Sequence, residues 1–316
     1  LSRAGAAATS VLLLISPSIS YYSRYVRHDV LLLLSAVLLL WIVLRYLQTG
    51  RHAWLYWLAA AFSIMYATKE ASYIYTAIFG ALLFLPFAVQ VVSAPWQREN
   101  LYRPFLAVLF IAVVMALVFT ISFRVANVNE LTLDEAGNSR VTTVSIPIWG
   151  RVAAALAFIA LFTLLVLVYY GIGEGVMRRI RLFDVLMVVG TLTLPLGSAF
   201  LIKFVAGADM EAVYEAVRTG NFSIVPTPTM VAIFGVTLAA IGASVALGLW
   251  WNAKRWPTIA LIHYTIFIVL YTTIFTWGFG ALSGLVGSLA YWLAQQQVKR
   301  GNQPAFYYLM VGSLYE

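Results

Sequence analysis

Val30-Leu31-Leu32-Leu33-Leu34-Ser35-Ala36-Val37-Leu38-Leu39-Leu40-Trp41-Ile42-Val43-Leu44 runs without a single charge. A helix that crosses roughly 30 Å of hydrocarbon needs about 20 apolar residues, and the stretch 30–47 supplies them. Outward from it the pattern recurs. Spans are expected at 4–20, 53–68, 71–92, 104–123, 152–170, 183–206, 229–250 and 258–275, with a further one opening near 305. The fold class is thus an all-α polytopic membrane protein of about nine or ten transmembrane helices. Composition agrees: 62% of the 316 residues are hydrophobic and 10% charged, against roughly 25% charged in soluble domains. Soluble, disordered and fibrous classes are excluded. The absence of cysteine excludes a disulfide scaffold, a zinc-thiolate site, an iron–sulfur cluster and a thiol nucleophile.

Trp54, Trp57, Trp149, Trp250, Trp251, Trp256 and Trp277 fall at span ends, where an amphipathic ring gains from both phases. Basic residues set the orientation. Arg45 and Arg51, Arg98 and Arg103, Arg178, Arg179 and Arg181, and Lys254 and Arg255 occupy alternate loops, expected to be cytoplasmic. Such loops account for the net charge of +8 more simply than nucleic acid, which is not expected as a partner. The intervening loops are acidic: 124–150 carries Glu130, Asp134 and Glu135, and 207–228 carries Asp209, Glu211 and Glu215. Both should face outward, and both should be partly helical. Residues 278–297 have two readings. Gly280 and Gly284 form a GxxxG suited to a closely packed span, and the same stretch fits an interfacial or re-entrant helix, the favoured reading.

Ionisable residues at membrane depth need a reason, since each costs roughly 2.5–3.5 kcal/mol on insertion scales. Two clusters stand out on the outer side. Ser16-Pro17-Ser18-Ile19-Ser20-Tyr21-Tyr22-Ser23-Arg24-Tyr25-Val26-Arg27-His28-Asp29 follows the first span, which Pro17 ends or bends. Lys69-Glu70 sits between two apolar spans. The plain alternative is that the arginines are solvated anchors and Lys69 snorkels. The same plain readings are preferred elsewhere: Lys203 as a snorkelling lysine, Asp184 as an acid favoured by a helix N-terminus, and His263 as a hydrogen-bonded core residue. Gly171-Ile172-Gly173-Glu174-Gly175 lacks the ending of a phosphate loop and reads as a helix terminator. Asn221-Phe222-Ser223 is a short glycosylation sequon. Outer-side arginines and a lysine beneath apolar helices suit a lipid phosphate, gripped by a guanidinium fork and an ammonium point charge.

At these residues the chain resembles the GT-C superfamily of integral-membrane glycosyltransferases, which use polyprenyl-phosphate sugars and include the protein O-mannosyltransferases. It looks closest to the prokaryotic group of flippase-activity-associated membrane proteins. Three blocks carry the likeness: residues 16–29, Lys69-Glu70, and the tail Tyr291-Trp292-Leu293-Ala294-Gln295, Arg300-Gly301-Asn302-Gln303-Pro304, Tyr307-Tyr308 and Tyr315-Glu316. The resemblance implies a donor site for the lipid phosphate built from Tyr21, Tyr22, Arg24, Arg27, Asp29, Lys69, Glu70, Arg300, Gln303 and Tyr307. It places 276–304 on the outer side as an interfacial or re-entrant segment. It also implies a multi-pass protein of a prokaryotic cytoplasmic membrane whose site faces away from the cytoplasm. Relatives keep their catalytic acid in the first outer loop. This chain reads as starting at the equivalent of their third helix and as cut at both ends, so that acid is expected upstream of Leu1 and no catalytic residue is assigned.

The organisation expected is a GT-C-like module at 1–123, an extracytoplasmic loop at 124–151, further spans at 152–275, the segment 276–304, and the start of a helix at 305–316. Three functions fit. One is a glycosyltransferase moving a sugar from a polyprenyl-phosphate donor to an outer acceptor, in which an acid deprotonates the acceptor and basic residues receive the departing phosphate. A divalent metal is compatible with that chemistry, although no cluster has clear ligand spacing. The second is a non-catalytic scaffold or lipid-binding subunit of a larger membrane complex. The third is a transporter or flippase component, for which the matched discontinuous helices are not seen. Expected partners are membrane lipids and a polyprenyl-phosphate sugar.

Overall fold

A computed structural model of the chain describes residues 2–17, 19, 28–126, 131–133, 139–141 and 148–295. Twelve helices carry labels here: α1 (Arg3–Ile15), α2 (Asp29–Thr49), α3 (Ala53–Thr68), α4 (Ser72–Ser93), α5 (Tyr102–Ala126), α6 (Ile148–Ile172), α7 (Arg181–Thr193), α8 (Ser198–Ala206), α9 (Met210–Thr219), α10 (Thr227–Asn252), α11 (Trp256–Tyr271) and α12 (Ser288–Gln295). The protein is an all-α polytopic membrane protein. Among the described residues four helices are long and apolar enough to cross a bilayer, or five with α7 and α8 taken as one bent span. Three further apolar helices at expected spans, α1, α3 and α11, are shorter than this. Helix α1 has 13 residues because Ser16, just before Pro17, is extended, as the residue preceding a proline tends to be. Helices α3 and α11 have 16 residues each, about 24 Å at 1.5 Å per residue. The span expected at 183–206 bends by 46°, with Pro195, which lacks an N–H, opening the turn between its halves.

The spanning helices are apolar outward. Only 6% of the best window in α4 and 22% of that in α10 is buried, and Leu85, Phe110 and Leu238 are mostly exposed. Continuous apolar surface on this scale is a lipid-facing surface.

The chain divides into two compact units, one made of Leu1–Phe84 with Arg181–Glu316, the other of Leu85–Ile180. In the first unit α3 packs between α2 and α11. Polar groups bridge these helices: Ser63 Oγ donates to the His263 carbonyl at 2.7 Å, and His263 Nδ1 lies 3.3 Å from the Ala59 carbonyl. His263 is fully buried, so the core reading of that residue fits the geometry.

One end of this unit gathers basic loops. Gly50 closes α2 with a left-handed φ of 66°, and Arg181 lies over it and donates to the carbonyls of Leu47 at 2.5 Å and Gln48 at 3.1 Å. Beside it Asp184 accepts from Tyr46 Oη and, at 2.8 Å, from Trp251 Nε1. Asp184 does stand in the first turn of α7, but its carboxylate also ties α7 to α2 and α10.

At the other end lies the amphipathic helix α9. Asp209 caps it by accepting from the Glu211 N–H at 3.2 Å, and Gly220 ends it at φ 73°. Its buried face, Met210, Val213, Ala216 and Val217, packs on Val286, Leu289, Ala290 and Leu293. Residues 280–295 form one helical run, α-helical at Gly280–Leu282, π-helical at Ser283–Gly287 and α-helical again in α12. A Cβ on Gly280 would strike the Tyr271 carbonyl, and one on Gly284 would meet the rings of Phe267 and Tyr271. The small residues thus let this run approach α11 closely. The link between them holds Thr273, Ile274 and Phe275 at φ 50°, 57° and 62°, left-handed values that are costly for side chains with a Cβ.

The second unit pairs α5 with α6. Helix α6 ends at Ile172 and Gly173 turns left-handed at φ 84°, so the glycine-rich stretch does terminate a helix. Gly171 is where the Trp96 ring packs. In the acidic loop 124–150 the described residues are helical at both ends, 124–126 and 148–150, and form between them two three-residue antiparallel strands with Leu131 opposite Val141 and Leu133 opposite Ser139. Its β-branched Thr and Val suit a ladder better than a helix.

Candidate functional site

Lys69 and Glu70 occupy the break between α3 and α4. Lys69 leaves the helix with an extended backbone, φ −163° and ψ 148°. The fully buried Ser72 locks the turn: its hydroxyl bonds the carbonyls of Met65 at 2.6 Å and Lys69 at 2.5 Å. Two adjacent charges are thereby held at one tip. Lys69 Nζ forms an ion pair with Asp29 Oδ1 across the gap to the first turn of α2. The two side chains are 38% and 35% exposed. A pair that wet is worth only about 0–1 kcal/mol and exchanges readily with a competing anion.

Glu70 follows Lys69 at the tip, and its half-buried carboxylate has no hydrogen bond or ion pair among the described residues. A tyrosine wall backs the tip. Tyr66 Oη donates to Thr76 Oγ1 at 2.9 Å, Tyr271 Oη donates to the Tyr66 carbonyl at 3.0 Å, and the Tyr66 and Tyr73 rings meet edge-on at 5.0 Å. On α9, Tyr214 lies 5.1 Å from the Tyr291 ring, Arg218 sits 6.0 Å from the Tyr214 ring centre, and Arg218 Nη2 pairs with Glu215 at 2.6 Å. Partial burial, with the neighbouring carboxylates and against the pull of Arg218, raises the Tyr214 phenol above its ordinary value. It stays a hydrogen-bond donor at neutral pH.

Of the residues expected in the donor site, the structure brings Asp29 and Lys69 together and sets Glu70 beside them. Tyr21, Tyr22, Arg24, Arg27, Arg300, Gln303 and Tyr307 lie outside the described residues. Lys203 is half-buried near the end of α8. Among the described residues no three His, Asp or Glu side chains converge as metal ligands. Sequence reasoning did not single out Ser72 or Tyr214, and quoted Tyr291 only as part of the tail block. Ser72 was visible as a hydroxyl residue opening a helix just after two charges. Tyr214 was visible only as part of the polar face of an amphipathic helix.

Neither a curated protein nor a solved structure matches the chain. Residues 1–123, the segment that contains Asp29, Lys69 and Glu70, match the model of the dolichyl-phosphate-mannose-protein mannosyltransferase family, a family of membrane glycosyltransferases.

Proposed function

We propose that this chain is part of a membrane glycosyltransferase that takes a sugar from a polyprenyl-phosphate donor and passes it to an acceptor on the outer side of a prokaryotic cytoplasmic membrane. The observation that carries the reading is the Lys69–Asp29 pair, on a rigid tip inside the segment that the mannosyltransferase family model matches. Lys69 is the group that receives the lipid phosphate, and Asp29 holds its ammonium in place until the anion arrives. As the glycosidic C–O bond to phosphate breaks, negative charge grows on the leaving phosphate, and a fixed cation stabilises it there more than in the ground state. Arg24 and Arg27, four residues or fewer before His28, are assigned to the same phosphate as bidentate donors. The apolar outer faces of the spanning helices offer the prenyl chain a lipid-like path.

The test uses the protein reconstituted in nanodiscs with radiolabelled dolichyl phosphate mannose as the donor probe. Wild type should bind it. Lys69→Ala should weaken binding about ten- to a hundred-fold, the loss of a charged hydrogen bond worth roughly 1.5–3 kcal/mol, with helical circular dichroism unchanged. Lys203→Ala should change little. Binding that is equal in wild type and Lys69→Ala overturns the assignment.

A further inference from the structure

We propose that the basic end of the first unit carries a binding site for one anionic phospholipid, whose headgroup phosphate is taken by Arg45 and Arg51 and whose acyl chain lies along the exposed face of α2; this is independent of the reading of Lys69.

Contacts build the site. Arg45 lies over the Trp54 ring, 5.9 Å from its centre, and Trp41 meets Trp54 edge-on at 5.1 Å. Trp54 belongs to the first turn of α3, which the left-handed Gly50 turns back beside α2. A guanidinium resting on an aromatic face keeps N–H groups at its edge for an anion, and phosphate accepts from such a fork in two places. Arg51, exposed on the same turn, adds a second cation directly after Gly50.

These two arginines have no competing duty. A cation near a helix C-terminus ordinarily serves the terminal carbonyls, but Arg181 already donates to those of Leu47 and Gln48. Asp184, the carboxylate at this end, is taken by Tyr46 Oη and Trp251 Nε1. Neither Arg45 nor Arg51 forms an ion pair among the described residues. Just past Trp251 the exposed Lys254 adds a further cation, its backbone N–H held at 3.2 Å by Asn252 Oδ1. The surplus of positive charge complements an anionic leaflet.

A lipid fits better than a soluble anion because of the face that leads up to Arg45. Leu34, Val37, Leu38 and Trp41 precede it at helical spacing and all are exposed. The acyl chain of a phospholipid held at Arg45 meets apolar side chains along that stripe, with the Trp41 indole where headgroup gives way to hydrocarbon.

The experiment counts lipids retained by the full chain in detergent, by native mass spectrometry, with phosphatidylglycerol and phosphatidylcholine as probes. Wild type should retain one phosphatidylglycerol in preference to phosphatidylcholine. Arg45→Ala and Arg51→Ala should each weaken phosphatidylglycerol about fivefold, the worth of one cation near an anionic surface, and leave phosphatidylcholine unchanged. Both arginines are exposed, so these variants keep the fold. Arg45→Lys, which keeps the charge and loses the fork, should recover part of the loss. Lys69→Ala should change nothing. The site is overturned if wild type shows no preference, or if inorganic phosphate displaces the lipid. It is overturned equally if Arg103→Ala, in a different basic loop, weakens binding as much as Arg45→Ala does. Loss in Lys69→Ala with none in Arg45→Ala would put the lipid at the α3–α4 tip and also sink the proposal.

Discussion

Asp29 and Lys69 are close enough to neutralise one another, and their exposure makes that contact weak. Asp29→Asn should therefore cost less than about 1 kcal/mol of stability. It should also tighten binding of bare dolichyl phosphate severalfold, because the incoming anion no longer competes with a carboxylate. Equilibrium binding beside thermal unfolding in detergent reads both effects. Asp184 should behave in the opposite way. Asp184→Ala leaves the Tyr46 hydroxyl and the Trp251 N–H without their acceptor, and should cost roughly 2–3 kcal/mol with no effect on lipid-phosphate affinity. The contrast shows how legible single residues were. Charges at 29 and 69–70 stood out because apolar neighbours gave them no local reason to exist. Asp184 had a sufficient local reason at a helix N-terminus, so nothing in the nearby sequence pointed to partners on two distant helices. The aromatic pair at 214 and 291 was hidden for the same cause: one tyrosine on a polar helix face is ordinary until the fold supplies its neighbour.

Elements were legible by period and length where the chain obeys one rule, and were misjudged where two rules compete. Among the described residues apolar runs located the helices long enough to span, but not the bend at Pro195 nor the short ladder in the 124–150 loop, where turn and strand preferences act over only a few residues. The glycines at 280 and 284 let the run 280–295 approach α11 closely, and the consequence is measurable. Gly280→Ala should destabilise by roughly 1–3 kcal/mol, since the added methyl meets backbone and not a flexible side chain. Gly242→Ala in α10, where a Cβ meets nothing within 4 Å, should be neutral or stabilise by about 0.5–1 kcal/mol. Thermal unfolding of the two variants side by side is the check. The left-handed link at Thr273–Phe275 makes a further prediction: Ile274→Gly should raise stability by about 1 kcal/mol, because glycine adopts that backbone freely. A lower unfolding temperature for that variant would count against strain in the link.

At the scale of the molecule, the basic loops at Arg51 and Arg181 and the acidic helix α9 lie at opposite ends of the first unit, as the charge pattern predicts of loops on opposite sides of a membrane. In intact cells an impermeant thiol reagent should label Glu211→Cys and Ser139→Cys but neither Arg51→Cys nor Lys254→Cys. The reverse pattern overturns the orientation. The first unit is also discontinuous, built from Leu1–Phe84 and Arg181–Glu316 with the second unit's sequence in between. Tyr46 and the Asp184 it bonds are 138 residues apart, and synthesis at about 5–20 residues per second separates them by roughly 7 to 28 s. Helices α2 and α3 must therefore wait in the bilayer for partners not yet made, while the stretch 85–180 emerges as one piece and can close on itself. Ser63 has a resting arrangement for that interval, since a helical serine can turn its hydroxyl back to the carbonyl one turn earlier, here that of Ala59. When α11 arrives, both groups are released to it, Ser63 to the His263 carbonyl and the Ala59 carbonyl to the imidazole. Assembly of the first unit is then an exchange of provisional bonds for final ones, timed by the length of the insertion.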